Sequence, residues 1–310
     1  RSMAEWEDTH GVVIAWRCFP EILSEIVRHA KEEGLVYIVT TDNAQVSSDL
    51  AANQVTGLEN IRYVVTGVNS IWIRDYGPWT VYLNKVQERG ISDYIYNRPM
   101  RPRDDQVPYE VADYVGDPVY NVDEDPFSWI HTGGNFLRDG VKAAYSSDLV
   151  LRENSGKTGQ QIAEYASIFF GIDDYRILSR LDYDTIHHLD MHMRILDEET
   201  IAVGEYPEGV ADGPVIERNL ALIRNHYRTP YGRPYRILRL PMPSQAGLYP
   251  PFADYLTYTN SVFINKTILV PIYEVPEDEE ALQLYRDYFP GYQVVGINCN
   301  AIIGRLGALH

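Results

Sequence analysis

Helical stretches that run straight into short apolar strands recur along this chain, and that recurrence limits the folds open to it. Residues 21–33 place Ile22, Ile26, Val27 and Ala30 at helical spacing, ahead of the strand Val36-Tyr37-Ile38-Val39. From Thr158 onwards, Ile162, Tyr165, Ala166 and Phe169 fall on one face, ahead of Tyr175-Arg176-Ile177-Leu178. Pro214 opens a third helix, with Ile216, Leu220 and Ile223, before Tyr235-Arg236-Ile237-Leu238. Pro276 and the acids Glu277, Asp278, Glu279 and Glu280 mark a fourth start, since negative charge favours a helix N-terminus. The strand Tyr292-Gln293-Val294-Val295 follows. Between these units lie hairpin patterns, 194–196 with 200–203 and 262–264 with 267–270. The repeat reads strand, strand, helix, strand, which predicts an α/β fold rather than a simple alternation of strand and helix.

No Pro/Gly/Ser-rich linker divides the 310 residues, so one domain spanning 1–310 is expected. Both ends are abrupt, at Arg1-Ser2-Met3 and Ala308-Leu309-His310, and the expectation is a catalytic domain cut at each end, possible loss of a targeting segment included. No apolar run reaches the roughly 20 residues of a membrane span. A net charge of −17 argues against nucleic acid as a partner and suits a cationic ligand, or simply a solubilising surface. Two cysteines, Cys18 and Cys299, offer no disulfide framework or zinc ribbon.

Three segments set polar residues among apolar ones: Trp72-Ile73-Arg74-Asp75-Tyr76-Gly77-Pro78-Trp79, Ile186-His187-His188-Leu189-Asp190, and Gly307-Ala308-Leu309-His310. Thr132-Gly133-Gly134-Asn135, Tyr258-Thr259-Asn260-Ser261 and the basic run 98–103 accompany them. Attack on a guanidinium carbon needs such parts. The group is a planar cation that carboxylates can hold. A thiolate adds to its carbon, and a histidine protonates the departing ammonia and then activates water. Asp75, Asp190 and His188 supply three of the four groups. The competing reading makes Asp75 an ion-pair partner of Arg74 and His188 a structural histidine.

Taken together and in this order, the motifs resemble the bacterial peptidylarginine deiminase and agmatine deiminase family, from Ala4-Glu5-Trp6-Glu7 to Ala308-Leu309-His310. The resemblance implies a five-bladed α/β propeller of pentein type with the site on its axis. It implies that Asp75 and Asp190 clasp the guanidinium and that His188 is the general acid/base. Trp72 would wall the substrate stem, Asn260 would hold the site or the substrate backbone, and Gly134, with Gly133, would let the main chain approach closely. No cofactor and no metal is implied. In the peptidylarginine type two arginines grip the carboxylate of a C-terminal arginine, and such forks suit carboxylates. Arg98 matches the first, and the second falls on Arg101 or, given one extra residue, Arg103; Arg101 is preferred. The expected substrate is therefore an arginine-containing peptide, with a small guanidino compound such as agmatine as the alternative. A non-catalytic guanidinium-binding module is the alternative from another class. Relatives of the first type are exported, which favours a secreted or periplasmic location; the agmatine type would be cytoplasmic.

In the family a cysteine nucleophile directly follows the Leu309-His310 pair, so the nucleophile is expected just after His310 and residues 1–310 alone are expected to be inactive. Cys299 is a poor substitute. The run His187-His188-Leu189-Asp190-Met191-His192 also invites a metal-ligand reading. If extended, it would put His188, Asp190 and His192 on one face and turn His187 away. Ser155-Gly156-Lys157-Thr158 lacks the leading glycine of a phosphate loop, with Leu151 in its place. Asn265-Lys266-Thr267 is a glycosylation sequon, yet it falls in an expected hairpin turn and proves nothing about secretion.

Overall fold

A computed structural model describes residues 1–244 and 255–310. The first unit holds β1 (Gly11–Ala15), α1 (Pro20–Glu33), β2 (Leu35–Thr40), α2 (Asn43–Ala52) and β3 (Ile61–Val65). A short helix, α3 (Ile73–Tyr76), leads to β4 (Trp79–Leu83), β5 (Glu88–Asp93), α4 (Val107–Val115) and β6 (Val119–Asn121). The third unit has β7 (Leu137–Arg138), β8 (Ala143–Ser147), α5 (Leu149–Glu153), α6 (Gly159–Phe170) and β9 (Asp174–Leu178). The fourth has β10 (Met193–Asp197), β11 (Thr200–Glu205), α7 (Gly213–His226) and β12 (Arg236–Pro241). The fifth has β13 (Val262–Ile264), β14 (Thr267–Ile272), α8 (Glu277–Tyr288) and β15 (Gln293–Asn298). Among the described residues the strands form five separate three-stranded sheets, one per unit.

In units two to five the first strand pairs antiparallel with the second, and the second parallel with the third across a helix. That is the strand–strand–helix–strand repeat read from the sequence. The first unit departs from it: β1 and β2 are parallel, joined by α1, and β3 is parallel again. The cause is local. After β1 the chain runs into Pro20 at the first turn of α1 rather than a tight turn, and a parallel partner requires such a crossover.

The four helices that the spacing predicts form as α1, α6, α7 and α8. In α1, Ile22, Leu23, Ile26, Val27 and Ala30 are buried, each large side chain contributing roughly 1.5–3 kcal/mol. Thr158 caps α6 in a capping box with Gln161, and Gly171 closes the helix at φ 64°. The Ser155–Thr158 sequence thus serves as a helix start. Asn265, in the β13–β14 turn, accepts from the Thr9 amide (2.7 Å) and donates to the carbonyls of Thr9 (3.0 Å) and Glu33 (2.8 Å). The sequon asparagine therefore staples the last unit to the first, where α1 also packs on β14 and β15.

One regularity positions the site. In units two to five the first strand is preceded by a tight turn: α3 before β4, the 3-10 turn Gly133–Asn135 before β7, Leu189–Met191 before β10, and the loop carrying Asn260 before β13. The chain segment after the 3-10 turn Ile303–Arg305 runs to His310 beside them. No helix among the described residues is long and apolar enough to cross a membrane.

Candidate active site

Three of these turns, those carrying Asp75, Asp190 and Asn260, converge with the last segment on one cavity of about 550 Å³. Asp75, His188, Asp190 and Asn260 all line it, as do Trp72 and His310. His188, Asp190 and Asn260 are buried, whereas Met100 at the mouth is 87% exposed.

Asp75 lies in α3, which Arg74 fastens down. The Arg74 guanidinium donates to the carbonyls of Gly133 and Phe136 (both 3.1 Å) and pairs with Glu5, not with Asp75. Asp75 is left to face the cavity, where its Oδ1 accepts from the Gly134 amide (3.3 Å) and lies 3.6 Å from His188 Nδ1. The other His188 nitrogen, Nε2, is 3.2 Å from Thr132 Oγ1. Asp190 Oδ2 accepts from His310 Nδ1 at 2.8 Å. A Cβ on Gly134 would lie 2.5 Å from His188 Nδ1 and 3.1 Å from both Asp190 oxygens, so only bare main chain fits against these two side chains. Gly133 is equally constrained, by the Arg74 carbonyl and the Trp79 ring.

Asn260 holds the last segment rather than open space. Its Oδ1 accepts from the amides of Ala308 (3.0 Å) and His310 (3.1 Å). Trp72 packs its ring on Gly307, where a Cβ would come within 2.4 Å. At the mouth, Arg98 pairs with Glu153 (3.0 Å) and lies over the Tyr96 ring, and Arg101 donates to Tyr96 Oη (2.9 Å). Both line the cavity. Arg103 does not; its side chain lies against Gly67. Of the two arginines left open, Arg101 lines the cavity and Arg103 does not.

The expected alternation across 188–192 is corrected. Leu189–Met191 forms a 3-10 turn, not a strand, and His187 takes a left-handed φ of 58°. His187 consequently lines the cavity while His192 does not. Burial pushes His192 down to about 4. His131, behind His188, is pushed down to about 3 by burial and by the neighbouring imidazole. Among the described residues no three His, Cys, Asp or Glu side chains are grouped to hold a metal ion. Neither cysteine lines the cavity: Cys18 is exposed, and Cys299 is packed in the core, where burial pushes its thiol up.

Three residues of this neighbourhood escaped the sequence reading. Glu153 and Arg305 line the mouth with no local motif to announce them. Glu5 belongs to the first matching segment, yet nothing in that segment indicates that it meets His310. Burial would raise its carboxyl, but Arg74, His310 and Arg194 outweigh this and hold it well below the usual carboxylate range.

Two carboxylates flanking an imidazole, beside an indole face, can receive a planar cation. A model of the Porphyromonas-type peptidyl-arginine deiminases matches residues 1–310. The chain belongs to that family. Among proteins similar to this family member, one from Vibrio parahaemolyticus, provisionally named an agmatine deiminase, is 24% identical over 81% of this chain and 76% of its own length. A provisionally named arginine deiminase of Porphyromonas gingivalis has a similar structure, with TM-score 0.86 at 21% identity, covering 99% of this chain and 95% of that one. The agmatine deiminase of C. jejuni with substrate bound gives TM-score 0.82 at 21% identity, over 100% and 93% of the two chains. At these identities the structural likeness concerns the fold. The relatives' names lean towards agmatine rather than a peptide.

Proposed function

We propose that this chain carries the guanidinium site of a deiminase, a hydrolase of C–N bonds in linear amidines. The observation that supports this most directly is the convergence of Asp75, His188 and Asp190 in one cavity. Asp75 and Asp190 clasp the guanidinium, Asp190 through Oδ1, since Oδ2 is engaged by His310. Trp72 walls the aliphatic stem. Gly134 presents main chain at the back, and Asn260 fixes the segment that ends at His310. A thiolate, expected on the residue after His310, forms a bond to the guanidinium carbon. His188 donates its proton to the departing nitrogen, and ammonia leaves a covalent thiouronium. Water, deprotonated by His188, adds to the same carbon, and the C–S bond breaks to release the ureido product. Water is the only co-reactant, so no cofactor takes part.

For the substrate, we infer arginine at a peptide C-terminus, giving citrulline. Arg98, Arg101 and Arg305 line the mouth against one acid, Glu153. That balance attracts a carboxylate and repels the distal ammonium of agmatine. The second reading, agmatine, is supported by the relatives' names. A chain extended past His310 with cysteine in the next position tests both. Release of ammonia from a peptide ending in arginine, lost in the Arg98→Ala, Arg101→Ala double variant, is the expected result. Turnover of agmatine alone, or a double variant as active as its parent, would reject the peptide reading. Binding without ammonia release from the extended chain would instead support a non-catalytic module.

As architecture, we propose one domain over 1–310 with its five units arranged as a five-bladed propeller. Three pre-strand turns meeting at one cavity, and the packing of α1 on the fifth sheet, support it.

A further inference from the structure

Glu5 does not line the substrate cavity, yet its carboxylate touches three of the segments that build it. It pairs with Arg74, which neighbours Asp75 and is bonded to the 133–136 turn. It pairs with Arg194 (2.6 Å), in the strand that follows Asp190. Its Oε2 lies 2.9 Å from His310 Nε2. The opposite nitrogen of that ring, Nδ1, lies 2.8 Å from Asp190 Oδ2. Carboxylates only accept, so both ring nitrogens must donate, one to each acid. The His310 amide is held by Asn260, and its side chain is 6% exposed, so the ring has little freedom to turn. We propose that Glu5 is a positioning residue: through His310 it sets where the Asp190 carboxylate points.

Arg74 and Arg194 are what allow a buried Glu5 to remain ionised and to accept from His310. Without that acceptor His310 is free to tilt, and Asp190 loses the bond that fixes Oδ2 and leaves Oδ1 for the cavity. This inference goes beyond the guanidinium reading, since it concerns His310 and Asp190 whatever the ligand.

The test uses the 1–310 chain with ¹⁵N-labelled histidine and ¹³C-labelled aspartate. Two His310 ring N–H signals, slow to exchange with water, are expected in the wild type. Glu5→Asp keeps the charge facing Arg74 and Arg194 but withdraws it from His310 by one methylene. In that variant the Nε2–H signal should be lost to exchange and the Asp190 carboxyl signal should move. Binding of a peptide ending in arginine, by calorimetry, should weaken on the order of tenfold, as for one lost hydrogen bond to a charged group. A purely structural role would lower the melting temperature without moving the Asp190 signal. A folded Glu5→Asp chain with both ring signals and the Asp190 signal unchanged would overturn the proposal, as would a wild type lacking one ring N–H. Should Glu5→Asp not fold, Glu5→Ala, which removes the acceptor altogether, is judged on the Asp190 signal in the same way. A wild type that binds neither agmatine nor an arginine peptide would instead reject the guanidinium reading, and the signals alone would decide on Glu5.

Discussion

Gly134 shows how narrow the tolerances of the site are. A methyl group there would stand 2.5 Å from His188 Nδ1, so Gly134→Ala must push His188 or the main chain aside. Misplacing a reacting group by about an ångström can cost on the order of 100-fold, and turnover by the extended chain should fall by about that factor. Asp93 tests another kind of tolerance. Burial first, then Asp105 and Asp123, lifts its carboxyl to about 8. An unfolded aspartate ionises near about 4, so between those values the folded chain holds the extra proton. Stability from this group is full below about pH 4 and is lost as pH rises through about 8. Asp93→Asn should therefore raise the melting temperature at pH 8 and leave it little changed near pH 4. At this scale the sequence was legible as to which residues meet at the cavity. Asp75, His188 and Asp190 are polar groups with no local structural use, and they line the cavity. Glu5 and Glu153 were illegible because their partners, His310 and Arg98, are far away in the chain.

Elements were easier to read than residues, since periodicity is a local property. The predicted helices and hairpins appear because apolar spacing and turn chemistry agree at each of them. Thr158 gives a measure of one such signal. Thr158→Ala removes the side-chain half of the capping box, leaving the backbone bond to Gln161, and should cost about 1 kcal/mol in urea unfolding while leaving ligand affinity unchanged. Helix α2 was missed because only Val46 and Leu50 are buried in it, too few to mark a face. The 3-10 turn at Leu189–Met191 was missed for a related reason. Three residues carry no period, so polar residues at every second position looked extended.

For the molecule as a whole, pH acts from the acid side too. His131 and His192 are held neutral, at about 3 and about 4, while unfolded histidine titrates near about 6.5. The unfolded chain binds more protons below that point, so their contribution is full above about pH 6.5 and is lost as pH falls towards 4 and 3. Each proton adds a slope of about 1.4 kcal/mol per pH unit. Urea unfolding should show stability dropping from pH 6.5 to 4, less steeply in His192→Gln; an unchanged slope would contradict this account. The assembly of the units was the least legible level. Asn265 joins the last unit to Thr9 and Glu33, and nothing in a glycosylation-like triplet announces a structural staple.

The turns carrying Asp75, Gly134, Asp190 and Asn260 each lead into a strand of a different sheet. The distance between Asp75 and Asp190 is therefore a distance between separately packed bodies, and their relative breathing sets its fluctuation. On the proposed reading, a small cation clasped by both would act as a cross-brace. Its grip should be felt as slower amide exchange in strands that never touch it.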